Sequence, residues 1–275
     1  MTVIALPVRE QLDKLRDEYL DRGWVKVENL LDAETVAAVR DELFLLARKD
    51  QERQEAENHR ATRVQDSQRF EHVVHMVANP SRCSEICRKL VTSPQLAQFV
   101  GEIAGFAARG VQLYRDTAMI KPPSADGGLP TGYHQDLPYL PLDRKFACTL
   151  WLALVDLPAT AGTLRFLDGS QNWGPLGRYD GLDNDWMAEH PEQHEQLSAP
   201  NSLNAGDATI HSGLTVHGTD KNESNQLRVA YPITYMSADT RYTGAPSSVT
   251  DNLGLVMDQP FRHEFFPVVV PASGR

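Results

Sequence analysis

Apolar positions follow a helical repeat up to about Gly110 and a strand-like repeat after it. Leu12, Leu15 and Tyr19 recur at helical spacing between Val8 and Leu20, and Gly23 is placed to stop that helix. Trp24-Val25-Lys26-Val27 predicts a short strand. Asp32 is placed to cap a second helix, with Val36, Val39, Leu43 and Leu46 on one face. From Lys49 to Gln65 the chain is polar and has no apolar stripe, which predicts a solvated helix extension or a loop. Thr92-Ser93-Pro94 marks another helix start, and the helix it opens carries Leu96, Phe99 and Ile103 to Gly105.

Beyond Gly110 the predicted strands are Val111 to Lys121, Phe146 to Asp156, Thr163 to Leu167, Ala208 to His211, Leu214 to His217, Leu227 to Met236 and Phe265 to Val270. Turns rich in Gly, Pro, Asn and Asp separate them. The pattern predicts a mainly β fold with helices. Residues 109–275 form a double-stranded β-helix (jelly-roll) core, and a mainly helical part over 1–108 braces one sheet, all within a single domain of 275 residues. A stretch rich in Gly, Asn, Asp and Trp covers 172–205. Loops of that length are usually lids or binding segments, and Trp173, Tyr179 and Trp186 favour a lid over exterior packing.

Composition narrows the partners. The net charge is -10, and the short cluster Arg60, Arg63 and Arg69 is diluted by Glu55, Glu57, Asp66 and Glu71, which disfavours nucleic acid. No apolar run approaches a membrane span, and charged residues interrupt the N-terminus where a secretory leader would be apolar. Cys83, Cys87 and Cys148 are an odd set without framework spacing, so a reducing cytoplasm is the expected setting. Oligomeric state is not legible.

The candidate chemistry is His134-Gln135-Asp136, followed by His217 and then Arg228. Two imidazoles and a carboxylate can hold one face of an iron(II) octahedron and leave the other positions for small molecules. If the segment is extended, residues two apart share a side, so His134 and Asp136 reach one ion while Gln135 faces away. His217 then comes from a distant strand folded against the first. Arg228 lies inside the strand-like Gln226-Leu227-Arg228-Val229-Ala230-Tyr231, and its planar fork suits a carboxylate.

With these residues the chain resembles the phytanoyl-CoA dioxygenase family of iron(II)- and 2-oxoglutarate-dependent oxygenases. The likeness rests on Lys121-Pro122-Pro123 running into His134-Gln135-Asp136-Leu137-Pro138-Tyr139, and on Cys148 to Leu154. Gly162-Thr163-Leu164, Asp168 to Gln171, and His217-Gly218-Thr219 through Asn222, Ser224 and Arg228 extend it. It is strong over roughly 111–238 and general before that. The resemblance implies iron held by His134, Asp136 and His217, with 2-oxoglutarate and O2 as cosubstrates. Oxidative decarboxylation to succinate then generates the oxidant that takes a hydrogen atom from the substrate. It also implies Arg228 and Thr219 on the remote carboxylate of 2-oxoglutarate, with Trp151 and Thr117 lining that pocket. Trp151 is shifted by one residue from the family spacing, and Thr117 replaces another residue type. Gln112 joins the pocket if the strand register turns it inward. His211 is a candidate contact behind the ligands or with substrate. Arg165 is a candidate to face the site, and Tyr139 a candidate wall of the substrate cavity. Ala161-Gly162 and Gly169-Ser170-Gln171 depart from common family patterns, which puts local hydrogen bonding and a close substrate match in doubt. The expected activity is oxidation of a small or medium-sized organic metabolite in biosynthetic tailoring, by hydroxylation, epimerisation, desaturation or ring closure. The alternative is a metal-binding jelly-roll that does not turn over oxygen, a cupin-like isomerase or a sensor.

Overall fold

The computed structural model describes Ile4 and residues 6–60, 75–126, 128–178 and 186–273. Tyr179, Arg63 and Arg69 lie outside the described residues. The helices are α1 (Arg9–Arg22), α2 (Ala33–Arg60), α3 (Glu85–Val91) and α4 (Pro94–Ile103), with β1 (Trp24–Val27) between the first two. Their ends follow local chemistry. Gly23 takes the left-handed conformation (φ 84°) and donates to the Tyr19 carbonyl. Asp32 accepts from the Thr35 amide at 2.8 Å, and Ser93 accepts from the Leu96 amide at the start of α4. The polar stretch after Lys49 continues α2 as far as Arg60.

The strands that follow are β2 (His75–Ala78), β3 (Val111–Lys121), β4 (Thr131–His134), β5 (Ala147–Ala153) and β6 (Leu164–Phe166). The helix α5 (Trp186–Glu189) precedes β7 (Ala208–Ser212), β8 (His217–Thr219), β9 (Arg228–Ser237) and β10 (Val268–Val270). The larger sheet runs β1-β7-β5-β9-β3-β10, with β2 also on β3, and the smaller runs β4-β8-β6. The described pairings are antiparallel, and two stacked sheets with a helical backing form the expected jelly-roll.

Alternation along the larger sheet sorts its two faces. Val25, Ile210, Leu150, Leu152, Ile233, Tyr231 and Val229 point outward and join Leu43, Leu90, Leu96 and Val100 of the helices in the main apolar cluster. The opposite face turns toward the smaller sheet and carries polar residues at buried positions: Thr149, Thr209, His211, Thr234 and Arg228. Buried polar side chains need partners, so this inner face is where chemistry is expected.

The structure corrects the predicted strand Leu214 to His217. Residues 213–216 form the turn between sheets, and β8 begins at His217. The strand β2 and helix α3 were not legible, because each is too short to show a period. Within 172–205 the two tryptophans part company. Trp186 is buried with Tyr133, Leu167, Met187, Leu197 and Val216, whereas Trp173 is 46% exposed.

Candidate metal centre and cosubstrate pocket

His134 and His217 sit directly opposite each other in the β4–β8 register, and their ring centroids are 4.6 Å apart. Each ring is oriented by its own chain: Nδ1 of His134 lies 2.8 Å from the Gly132 carbonyl, and Nδ1 of His217 lies 2.8 Å from the Thr215 carbonyl. A carbonyl only accepts, so both Nδ1 atoms carry a proton, which leaves the Nε2 atoms as the positions open to a metal. One ligand atom from each of His134, Asp136 and His217 lies within 4.8 Å of the others.

Strand alternation does not bring Asp136 to the histidines. The strand β4 ends at His134, and Asp136 has helical angles (φ -68°, ψ -45°) leading into a short turn over Leu137–Tyr139. Pro138, which has no N–H, cannot continue the ladder. The turn lays the Asp136 carboxylate against the larger sheet. There Thr149 Oγ1 donates to Oδ2 at 2.9 Å, His211 Nε2 stands 3.5 Å from Oδ2, and the Arg115 guanidinium stands 3.8 Å from Oδ1. Burial alone raises the Asp136 carboxyl, but His211, His217 and Arg115 outweigh it and hold the group well below the usual range. Burial, with His211 and His134 alongside, keeps His217 well below the usual histidine value, so its imidazole is neutral. An ionised carboxylate beside two imidazoles that turn Nε2 toward it is a donor set that fits iron(II).

Beyond the histidines the inner face carries a buried guanidinium with an unmet donor, that of Arg228. Arg228 is 1% exposed. It donates to the Gly162 carbonyl at 2.8 Å, its Nε has no partner, and its guanidinium carbon lies 5.7 Å from the Trp151 ring centre. Burial pushes its pKa down to about 10. Gly162 adopts a positive φ of 65°, and a Cβ there would stand 2.6 Å from the Asp220 carbonyl, so the turn requires glycine. Thr219 Oγ1 accepts from Lys121 Nζ at 2.8 Å and from the Thr131 amide at 3.1 Å. An unpaired buried cation is costly unless an anion completes it. The remote carboxylate of a dicarboxylate such as 2-oxoglutarate fits that need.

The remaining sequence candidates fall into three groups. Trp151 and Thr117 stand on β5 and β3, on the inner face, between the metal end and the Arg228 end. Tyr139 lies edge-on to His134 at 6.1 Å. His211 is enclosed behind Asp136, 1% exposed and 4.2 Å from the His217 ring centre, so it stands behind the candidate ligands. Gln112 and Arg165 are placed elsewhere. The β3 register does turn Gln112 inward, but the C-terminal segment fills that end of the cavity, and Gln112 donates to the Phe261 and Phe266 carbonyls. Arg165 alternates with the inward Leu164 and Phe166, so it faces out and bonds the Ser198 carbonyl and Asp220.

Three contributors escaped the sequence reading. Lys121 was only part of a motif, though a lysine closing an apolar strand is a usable signal. Arg115 and Thr149 carry no signal without the pairing of β3, β9 and β5. Gln135 does face away from the metal side, yet it is far from idle. Its buried amide donates to the Gly174 and Leu214 carbonyls at 3.0 and 2.7 Å and accepts from the Leu176 amide at 2.8 Å.

A jelly-roll with two histidines and a carboxylate converging between its sheets defines the class of non-haem iron oxygenases. The family described as phytanoyl-CoA dioxygenase matches residues 19–230, and the chain belongs to that family. A probable alpha-ketoglutarate-dependent hypophosphite dioxygenase from Stutzerimonas stutzeri is 25% identical over 239 residues, 81% of this chain and 77% of that protein. Among solved structures, the alpha-ketoglutarate-dependent carbocyclase SnoK from nogalamycin biosynthesis superposes with a TM-score of 0.75 at 26% identity, over 92% of this chain and 94% of that one. The epimerase SnoN, solved with Fe3+, alpha-ketoglutarate and nogalamycin RO, gives a TM-score of 0.71 at 27% identity, over 94% and 99% of the two chains. The chain is thus an iron- and 2-oxoglutarate-dependent oxygenase. Among the described residues, no helix is long and apolar enough to cross a membrane.

Proposed function

We propose that this single-domain oxygenase oxidises a small or medium-sized organic metabolite in a biosynthetic tailoring step. His134, Asp136 and His217 hold iron(II), and Arg228, Lys121 and Thr219 hold 2-oxoglutarate by its far carboxylate. The observation that carries this reading is the juxtaposition of a three-ligand cluster with the buried, uncompensated Arg228 and Lys121. A metal-binding jelly-roll that does not use oxygen has no need of such a carboxylate clamp. Relatives that act as a carbocyclase and an epimerase in natural-product assembly support the tailoring role. Cys83, Cys87 and Cys148 are unpaired thiols, which supports a cytoplasmic setting.

With 2-oxoglutarate and O2, bound iron(II) supplies an oxidant that takes a hydrogen atom from the substrate; the protein supplies the rest. The Nδ1 bonds of His134 and His217 aim both Nε2 atoms at one point. Thr149 holds Asp136 by a hydrogen bond, with His211 packed behind. Trp151 and Thr117 stand between the metal end and the clamp, while residues 172–178 are tied to the metal strand through Gln135 and bring Arg178 beside Tyr139, which supports a role of this segment in excluding water.

Anaerobic titration of the protein with iron(II) and 2-oxoglutarate tests this reading. A weak visible charge-transfer band is expected for the wild type and is lost in Asp136→Ala, His134→Ala and His217→Ala. If all three variants keep wild-type 2-oxoglutarate decarboxylation under limiting iron, the metal site is misassigned.

A further inference from the structure

One row of side chains crosses the inner face of the larger sheet through five strands. Trp24 pairs with His211, His211 with Thr149, Thr149 with Thr234, and Thr234 with Arg115. Asp136 lies over the middle of this row. The two ends of the row differ. At one end Trp24 is buried and stacks on Phe166 at 4.3 Å, which closes that side. At the other end the Arg115 side chain is 35% exposed, and the neighbouring His134 is 25% exposed. Asp136 is 11% exposed and His211 only 1%. Solvent, and therefore substrate, reaches the ligand cluster past Arg115 and His134.

Arg115 is poorly satisfied where it stands. Among the described residues it donates no hydrogen bond, and its one ionic contact is Asp136 at 3.8 Å. That contact is longer than a charge-assisted hydrogen bond, and guanidinium offers five N–H donors. That contact would weaken in a loaded site, where iron(II) held by Asp136 would take up the carboxylate's charge and 2-oxoglutarate would engage Arg228. Arg115 would then be a cation without a counter-charge, at the accessible edge of the ligand cluster. A second cation stands at the same rim: Arg178 lies 5.8 Å from the centre of the Tyr139 ring, and that ring is edge-on to His134.

We infer that Arg115 is the receptor for an oxyanion on the substrate, a carboxylate or a phosphorus oxyacid group, held bidentately beside the metal. The inference rests on the proposed oxygenase function and narrows its substrate class to anions. Because the fork reaches Asp136, the bond that is oxidised lies within a few bonds of that anion. Thr149 and Thr234, next in the row, anchor Asp136 and each other, so the oxyanion site is built by Arg115 itself.

The test uses the full chain loaded anaerobically with iron(II) and 2-oxoglutarate, at constant ionic strength. Hypophosphite, benzoate and butyl phosphate are the oxyanion probes, with benzamide and butanol as uncharged counterparts. At least one oxyanion is expected to perturb the charge-transfer band saturably, and its uncharged counterpart is not. Arg115→Met should weaken that binding roughly tenfold or more, with Arg115→Lys intermediate because a point charge lacks the fork. Failure of the band to form in the wild type sinks the oxygenase reading itself. A band that forms but responds to no oxyanion overturns the inference alone. So does equal binding of the uncharged counterpart, or unchanged oxyanion affinity in Arg115→Met. Should both variants lose the band before any probe is added, Arg115 is a support for Asp136 and the receptor assignment is wrong.

Discussion

Lys121 and Arg228 face each other across the β3–β9 register, and neither is more than 1% exposed. Among the described residues neither has a carboxylate partner within salt-bridge distance, so two buried basic side chains stand side by side. Adjacent like charges in low dielectric repel, and the protein relieves this by letting the softer of the two lose its proton. Burial, with Arg228 adding to it, pushes Lys121 down to about 6.

This shift has a sign that can be measured. Above pH 6 the empty pocket holds Lys121 uncharged, and an entering carboxylate restores its proton. Binding of 2-oxoglutarate is therefore expected to take up close to one proton near pH 8, and affinity should fall as pH rises further. Calorimetry in buffers of different ionisation enthalpy measures the uptake, and Lys121→Met should abolish it. The unfolded chain keeps this proton up to the ordinary lysine value of 10.5, so without 2-oxoglutarate the stability contributed here rises with pH between about 6 and 10.5.

Arg228→Ala tests the other half of the clamp. Removing the cation from a buried carboxylate costs on the order of 2–5 kcal/mol, or roughly thirtyfold to several-thousandfold in 2-oxoglutarate affinity. Iron affinity should barely change. Arg228→Lys should recover only part of the loss. Equal 2-oxoglutarate affinity in wild type and Arg228→Ala would falsify the clamp.

Gln135 tests whether the metal strand and residues 172–178 are one mechanical unit. Gln135→Leu strands the carbonyls of Gly174 and Leu214 and the amide of Leu176, at a stability cost on the order of 1–3 kcal/mol. Hydrogen exchange at 174–176 should accelerate in the same variant. Gln135→Glu keeps the acceptor for Leu176 but sets a carboxylate against two carbonyls, so it should be the less stable variant at neutral pH. Its folded pKa is raised, so the deficit should shrink as pH falls toward the ordinary glutamate value near about 4.3. Denaturant titrations at two pH values read this out.

The two tryptophans within 172–205 should separate stability from coupling. Trp186→Ala empties a buried site against Tyr133, Leu167 and Val216 and should cost about 3–5 kcal/mol. Trp173, half exposed, should cost little stability, but Trp173→Ala should raise the ratio of succinate to oxidised product, because a covering segment excludes water. A ratio unchanged in Trp173→Ala would leave that ring as exterior packing.

The candidate ligand types, Arg228 and the strand that carries Arg228 were legible in the sequence, because side-chain chemistry and a period of two are local properties. The strand Val111–Lys121 matches its prediction end to end, and Arg228 falls on a strand as expected. Non-local pairing and turn geometry decided the rest. Asp136 reaches the histidines through a turn at Pro138, and no periodicity reports that. His211 and His217 are six residues apart, yet their rings meet because the intervening turn passes the chain from one sheet to the other. Gln112 points inward as its register allows, but residues some 150 positions later occupy the space. The partnerships of Lys121 with Arg228, and of Arg115 with Asp136, depend on which strands lie side by side and in what register. Register is set by the whole folded sheet, since a slip of one residue turns every side chain to the opposite face.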